Sequence, residues 1–216
     1  MVWEPSRKSQ SALWKHWYNM LRVGLTGGIG SGKSEVSRFF KQWGAYIFNA
    51  DKEAKNIIDT NETAQNDIIA EFGTDILDAD NKINKQKLAR VAFHDEDNQL
   101  LLNSIVHPHV FREIDKQFGD VSIKDKHKIF VLDAALIYES GADTHMDYVI
   151  VVTSLLRFRT ERAMSRGNMT REDFMKRLDL QWPDEDKVHM ADFIIPNNSS
   201  VEDLEKEARE IFDKLI

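Results

Sequence analysis

Eight consecutive residues, Gly27-Gly28-Ile29-Gly30-Ser31-Gly32-Lys33-Ser34, fill every fixed position of the pattern G-x-x-x-x-G-K-[ST]. That spacing suits the grip of a polyphosphate. Glycines let the backbone fold back so that successive N–H groups point at one phosphate, and a helix opening behind the loop adds the positive end of its dipole. Gly28, Ile29, Gly30, Ser31 and Gly32 are therefore candidate binders of a nucleoside triphosphate such as ATP. Lys33 would reach the β and γ phosphates, and Ser34 would offer its hydroxyl to Mg²⁺. The loop alone does not separate a kinase from a GTPase switch or an ATPase motor.

Three further groups could complete a phosphoryl-transfer site. Transfer to a hydroxyl needs a carboxylate that orients or deprotonates the acceptor, and Asp51 directly follows the second strand-like run, at the sheet edge where the loop also opens. An aspartate before a helical run can equally serve as an N-cap. Asp133 ends an apolar run, the place where proteins with this loop carry an acidic residue that helps to hold Mg²⁺ through water. Arg159, Arg162, Arg166, Arg171 and Arg177 fall within nineteen residues. On a helix starting near Ser154 the first three stand three and four apart, so one stripe of guanidinium groups can face the phosphates. A solvated basic face balanced by Glu161, Glu172 and Asp173 is the plain alternative.

These side chains need a scaffold, and the patterning supplies one. Leu21–Thr26 is a short β-rich run before the glycines, and Glu35–Trp43 behind them repeats apolar residues at helical period. Residues 45–48, 128–132, 148–153 and 193–195 read as further strands, with the two central runs apolar and β-branched as in a parallel sheet covered on both faces. Residues 62–118 are helical in period, with Pro108 as their main interruption. Val201–Leu215 closes the chain as an amphipathic helix capped by Ser199 or Ser200. The sum is an α/β fold of the P-loop NTPase type: a five-stranded parallel sheet flanked by helices, with a helical substrate lobe and a lid, and ligands beyond the carboxyl ends of the strands. The expected core is residues 20–60 and 125–216, the lobe about 61–124, and the lid about 160–180. Gly167-Asn168 would supply the lid with flexibility.

Composition narrows the function classes. The chain has 216 residues and a formal charge of −7, so no global basic field attracts a nucleic-acid backbone. An ATPase acting on nucleic acid is further disfavoured because Phe174 is the one aromatic residue between Arg159 and Arg177, too few for a series of stacking platforms. A guanine-reading N-K-x-D or T-K-x-D is absent, which argues against a GTP switch. There is no cysteine, in keeping with a cytoplasmic protein without disulfides or thiolate sites. No apolar run approaches membrane-spanning length, and neither a membrane nor a nucleic acid is an expected partner; a monomer is expected. Residues 1–19 carry three of the five tryptophans but no signal-type apolar stretch. They read as an extension or disordered tail, with an amphipathic contact through Trp3, Trp14 and Trp17 as the sharper alternative.

Several blocks together resemble the dephospho-CoA kinase family. Val23–Ser34 (VGLTGGIGSGKS) is close to its phosphate loop. Asn49-Ala50-Asp51-Lys52-Glu53-Ala54 is similar to its D-A-D-x-x-A, with asparagine for the first aspartate. His107-Pro108 looks like its H-P element, and Leu132–Gly141 resembles its V-P-L-L-F-E-S-G stretch, with Ala135 for the proline. Arg162, Arg166, Thr170, Arg177, Gln181 and Pro183 follow its arginine-rich series, and Ala191-Asp192 with Asn197 follows its last strand. The likeness runs from Met20 to the final helix. It implies transfer of the ATP γ-phosphoryl group to the ribose 3′-hydroxyl of dephospho-CoA, with Mg²⁺. It further implies Asp51 as base, Lys33 and Arg166 as charge stabilisers, and His107, Arg162 and Arg177 on the substrate side. Ser34 and Asp133 would serve the metal, and Asn197 would border the adenine, unless it is simply a turn residue after Pro196. Another P-loop nucleoside or nucleotide kinase is the alternative; it would share the loop and the arginines, but not Asp51 in D-x-x-A together with His107-Pro108.

Overall fold

The computed structural model describes residues 20–167 and 170–216. The readings made for the leader and for Asn168 lie outside these residues. The chain divides into two compact units, residues 20–49 with 117–216, and residues 50–116.

The first unit holds the sheet. Its strands are β1 (Leu21–Thr26), β2 (Tyr46–Asn49), β3 (Ile129–Asp133), β4 (Tyr148–Thr153) and β5 (Phe193–Pro196). They run in the order β2-β3-β1-β4-β5, and every neighbouring pair is parallel. All five residues of β3 are buried, which is why that stretch is apolar at successive positions rather than at alternate ones. Helix α1 (Lys33–Gln42) follows β1 through the glycine loop, and the last helix, Val201–Leu215, packs with it on the sheet. Phe40 and Phe212 meet edge to face at 5.2 Å, a favoured aromatic geometry. Ser200 caps that last helix by accepting the Asp203 amide, and Asp203 returns a bond to the Ser200 backbone; this capping box meets the sequence expectation.

The second unit is helical: α2 (Ala50–Thr60), α3 (Glu62–Phe72), α4 (Lys85–Ala92) and most of α5 (Glu96–Lys124), which continues into the first unit. Asn61 and Asn84 cap α3 and α4. Ile57, Ala64, Ile68, Ile76, Leu88, Ala92, Leu102 and Val106 are its buried centre. Pro108 was expected to interrupt this region, yet it sits inside the 29-residue α5. A proline costs a helix about 3 kcal/mol. Leu102, Val106, Val110 and Ile114 recur every four residues along the same helix and are all buried, and each such side chain contributes about 1.5–3 kcal/mol. Their sum exceeds the penalty, so the helix runs through.

In the first unit, α6 (Leu156–Ser165), α7 (Arg171–Asp179) and α8 (Asp184–Met190) lie between β4 and β5. Counting onward, Val201–Leu215 is α9. Thr170 caps α7 through a reciprocal box with Asp173. Among the described residues, no helix is long and apolar enough to cross a membrane.

Candidate active site

The glycine loop leaves the carboxyl end of β1 and turns into α1. Its local geometry follows from its own backbone and from what surrounds it. Gly32 has φ 100° and stands at the N-cap of α1, a left-handed conformation that side chains disfavour. The Asn197 amide also occupies the space a Cβ on Gly32 would need. Ser31 N–H donates to Gly28 O at 3.0 Å and closes the turn.

Three consecutive carbonyls of the loop are held by side chains from later in the chain. Arg159 Nε donates to Ile29 O at 2.8 Å, Arg162 reaches Gly30 O at 3.4 Å, and Asn197 Nδ2 donates to Ser31 O at 2.8 Å. Arg162 also donates to Asn197 O at 3.1 Å, to its side-chain oxygen at 3.2 Å and to Ser154 Oγ at 3.0 Å. Gln181 Oε1 accepts the Ile29 amide at 3.2 Å. The loop is thus gripped from α6, from the turn after α7 and from the residue after β5.

Lys33 Nζ lies 2.6 Å from Asp133 Oδ1, with side chains 12% and 4% exposed. Asn49 Nδ2 donates to the other carboxylate oxygen, Asp133 Oδ2, at 3.2 Å, because Asn49 and Asp133 are register partners on β2 and β3. Asp133 is therefore the last residue of its strand rather than the one beyond it, and both of its oxygens are engaged. The turn after it is also tied down. Ala135 O accepts from Thr26 Oγ1 at 3.1 Å and from Lys187 Nζ at 3.2 Å.

The structure brings Lys33, Asp133, Arg162 and Asn197 together around the loop, while Ser34 is exposed in the first turn of α1. Asp51 is exposed in the first turn of α2, in the second unit. Arg166, at the C-cap of α6, is exposed, and its side chain makes no hydrogen bond or ion pair with another described residue. Arg177 is exposed on α7. The arginine stripe thus divides: Arg159 is buried and Arg162 half-buried, while Arg166 reaches solvent. Asn197 is 6% exposed and spends its amide on Ser31 O and Arg162, so it is a buried loop brace rather than a turn residue facing solvent.

His107 is half-buried and meets Phe111 edge to face at 6.1 Å. Burial without a compensating charge pushes its pKa below the usual histidine value. A cleft of the second unit is lined by other residues, among them Asn61, Asp67, Ser104, His109 and Arg112. Asn61 Nδ2 and an Arg112 nitrogen both lie 3.2 Å from His109 Nδ1.

Sequence reading missed three partners. Lys187 is fully buried and paired with Glu139 at 2.7 Å, and Glu139 also accepts the Trp182 amide at 2.9 Å. Asp184 lies 2.6 Å from Arg159. Nothing in the local pattern marks a buried lysine on a seven-residue helix, whereas Arg159 carried a usable signal in its place on the stripe.

Among the described residues, no group of three His, Cys, Asp or Glu side chains could hold a metal. The oxygen groups that the sequence reading offers a metal are the Ser34 hydroxyl and the Asp133 carboxylate.

Comparison with known proteins points one way. A family model described as dephospho-CoA kinase matches residues 21–203. The chain is 36% identical over 196 residues to the dephospho-CoA kinase of Aquifex aeolicus, covering 91% of this chain and 98% of that protein. It is 35% identical to that of Corynebacterium glutamicum, covering 91% and 100%. Among solved structures, the dephospho-CoA kinase from Campylobacter jejuni superposes with a TM-score of 0.64 at 28% identity, over 90% of this chain and 96% of that one. Shikimate kinase from Acinetobacter baumannii, in complex with shikimate, gives 0.53 at 14% identity over 93% and 96%, a likeness of fold alone.

Proposed function

The chain belongs to the dephospho-CoA kinase family, and from that membership we propose how its residues share the work. It is an ATP-using kinase that phosphorylates dephospho-CoA to coenzyme A. The ribose 3′-hydroxyl is the acceptor, and the loop from Gly28 to Ser34 is the seat of the ATP phosphates. The observation that carries this reading is Lys33: its ammonium stands at the loop's end, held by Asp133 in readiness for a competing anion.

When ATP binds, Lys33 shifts its charge from the carboxylate to the β and γ phosphates. Gly30 and Gly32 contribute backbone amides, and α1 contributes its positive end. Mg²⁺ fits the donor set, since it favours oxygen ligands, keeps several waters and is bound mainly through substrate phosphates with one or two protein groups. Ser34 and Asp133 would hold it, and it would neutralise charge on the transferring group. Asp51 orients the acceptor hydroxyl and takes its proton. Arg166 leaves solvent as the segment at about 160–180 closes, and adds positive charge where negative charge develops. Arg162 and Asn197 act on the phosphates through the loop they brace. The helical unit offers the acceptor its cleft with His109 and Arg112; His107 acts as a neutral packing residue, and Arg177 serves the substrate from α7. The protein works as a monomer.

The test is turnover of purified protein with ATP, Mg²⁺ and dephospho-CoA, against adenosine, AMP, CMP and shikimate as competing acceptors. Dephospho-CoA should be consumed preferentially. Preference for any of the others would overturn the acceptor assignment.

A further inference from the structure

Arg159 lies outside the set of residues assigned so far, yet it is the one most closely fitted to the glycine loop. It is 4% exposed. Nε donates to Ile29 O at 2.8 Å, and one terminal nitrogen is paired with Asp184 at 2.6 Å. The other terminal nitrogen is buried without a hydrogen-bond partner among the described residues and lies against Gly28. A Cβ on Gly28 would collide with this guanidinium, and a Cβ on Gly30 would come within 2.5 Å of Arg159 O. Two glycines of the loop therefore have no side chain where Arg159 sits. This is a spatial requirement, and at Gly28 it holds without any left-handed backbone.

The bond to Ile29 O has a geometric effect. In a planar trans peptide the carbonyl of one residue and the N–H of the next point in opposite directions. Holding Ile29 O toward Arg159 therefore turns the Gly30 amide away from that guanidinium. We propose that Arg159 is a positioning residue for ATP: it orients the Ile29–Gly30 peptide so that the Gly30 amide is already aimed at phosphate before the nucleotide arrives. The inference rests on the reading of this loop as the phosphate seat. Preorganised amides bind charge without first having to reorient. The buried charge of Arg159 is balanced by Asp184, while the donor that matters for ATP is Nε.

Side-chain length makes the two roles separable. Arginine Nε and glutamine Nε2 are the same number of bonds from Cβ, so Arg159→Gln keeps a donor for Ile29 O and loses the ion pair with Asp184. Arg159→Met has similar bulk and no donor. The experiment measures ATP affinity by calorimetric titration, the KM values for ATP and dephospho-CoA, and Tm, on the full chain and both variants. Lys33→Met serves as the control for the loop reading. Arg159→Met should weaken ATP binding roughly tenfold, the usual effect of one lost hydrogen bond to a charged donor, while the KM for dephospho-CoA stays within about twofold. Arg159→Gln should recover ATP affinity even though its Tm falls as far as that of the Met variant. Equal ATP affinity in wild type and Arg159→Met would overturn the proposal, as would failure of Arg159→Gln to recover binding or a parallel rise of both KM values. If wild type binds ATP no better than Lys33→Met, the loop reading fails, and this inference falls with it.

Discussion

Replacing Asp133 by asparagine should make ATP bind more tightly when no metal is present, the opposite of what loss of a site residue usually does. The carboxylate is 2.6 Å from Lys33 Nζ and its side chain is 4% exposed, so it occupies the cation that the phosphates need and adds a negative charge behind it. At a separation of about 6 Å and an effective dielectric of about 20–40, that charge repels a phosphate charge by roughly 1.4–2.8 kcal/mol. Freed Lys33 regains some hydration, which brings the expected gain to the lower end, about tenfold in affinity. Asparagine keeps the shape and can still engage Asn49. With Mg²⁺ the sign should reverse, because in the proposed role the same carboxylate would help to hold the metal. Mg²⁺-ATP should bind the variant no more tightly than wild type, and turnover should fall by about a hundredfold or more, as loss of metal-borne charge stabilisation would dictate. Calorimetric titration of Asp133→Asn with ATP in EDTA, and then in Mg²⁺, reads both signs in one series. Weaker binding in EDTA would refute the view that Asp133 competes with phosphate for Lys33.

Four further outcomes are expected. Asp51→Asn should keep ATP affinity within about threefold and lose about 10²–10⁴ in kcat, the range for a general base; unchanged turnover would remove Asp51 from that role. Lys187→Met should lower stability by about 3–5 kcal/mol in urea unfolding by stranding Glu139, and the double variant Lys187→Met/Glu139→Gln should regain most of that loss. Asn197→Ala leaves Ser31 O without its donor and should cost about 1–3 kcal/mol, read as a Tm lower by about 3–10 °C in the absence of nucleotide. His107 has a folded pKa below its unfolded value of about 6.5, so the unfolded chain binds more protons there, and stability should fall as pH drops below about 6.5. His107→Phe should flatten that part of the pH profile in urea midpoints, and an identical slope in both proteins would count against the burial of His107.

Much of this protein was readable along the chain because its decisive features are local. The loop is a contiguous run whose glycines and lysine act through their own backbone and charge, and strands such as Ile129–Asp133 announce themselves by unbroken apolar sequence. The order of the blocks was enough to suggest the family. Pro108 shows where local reading fails: the rule that proline ends a helix is a statement about one peptide, and the buried row from Leu102 to Ile114 overrode it. Asn197 and Arg162 show the same limit at the site. The family resemblance put Arg162 on the substrate side and Asn197 beside the adenine; in the structure both make hydrogen bonds to the loop itself.

Residue types and spacing pointed to a triphosphate seat after the first strand, with carboxylates and arginines at hand, because adjacent residues on one strand, loop or helix have predictable relative positions. Tertiary structure alone decided which arginine touches which carbonyl, that Lys33 rests on Asp133, and that Lys187 is buried against Glu139. Those pairings join residues as many as 132 positions apart in the sequence. They arise only when parallel strands bring distant turns to one edge of the sheet, and no local pattern of residues encodes that meeting.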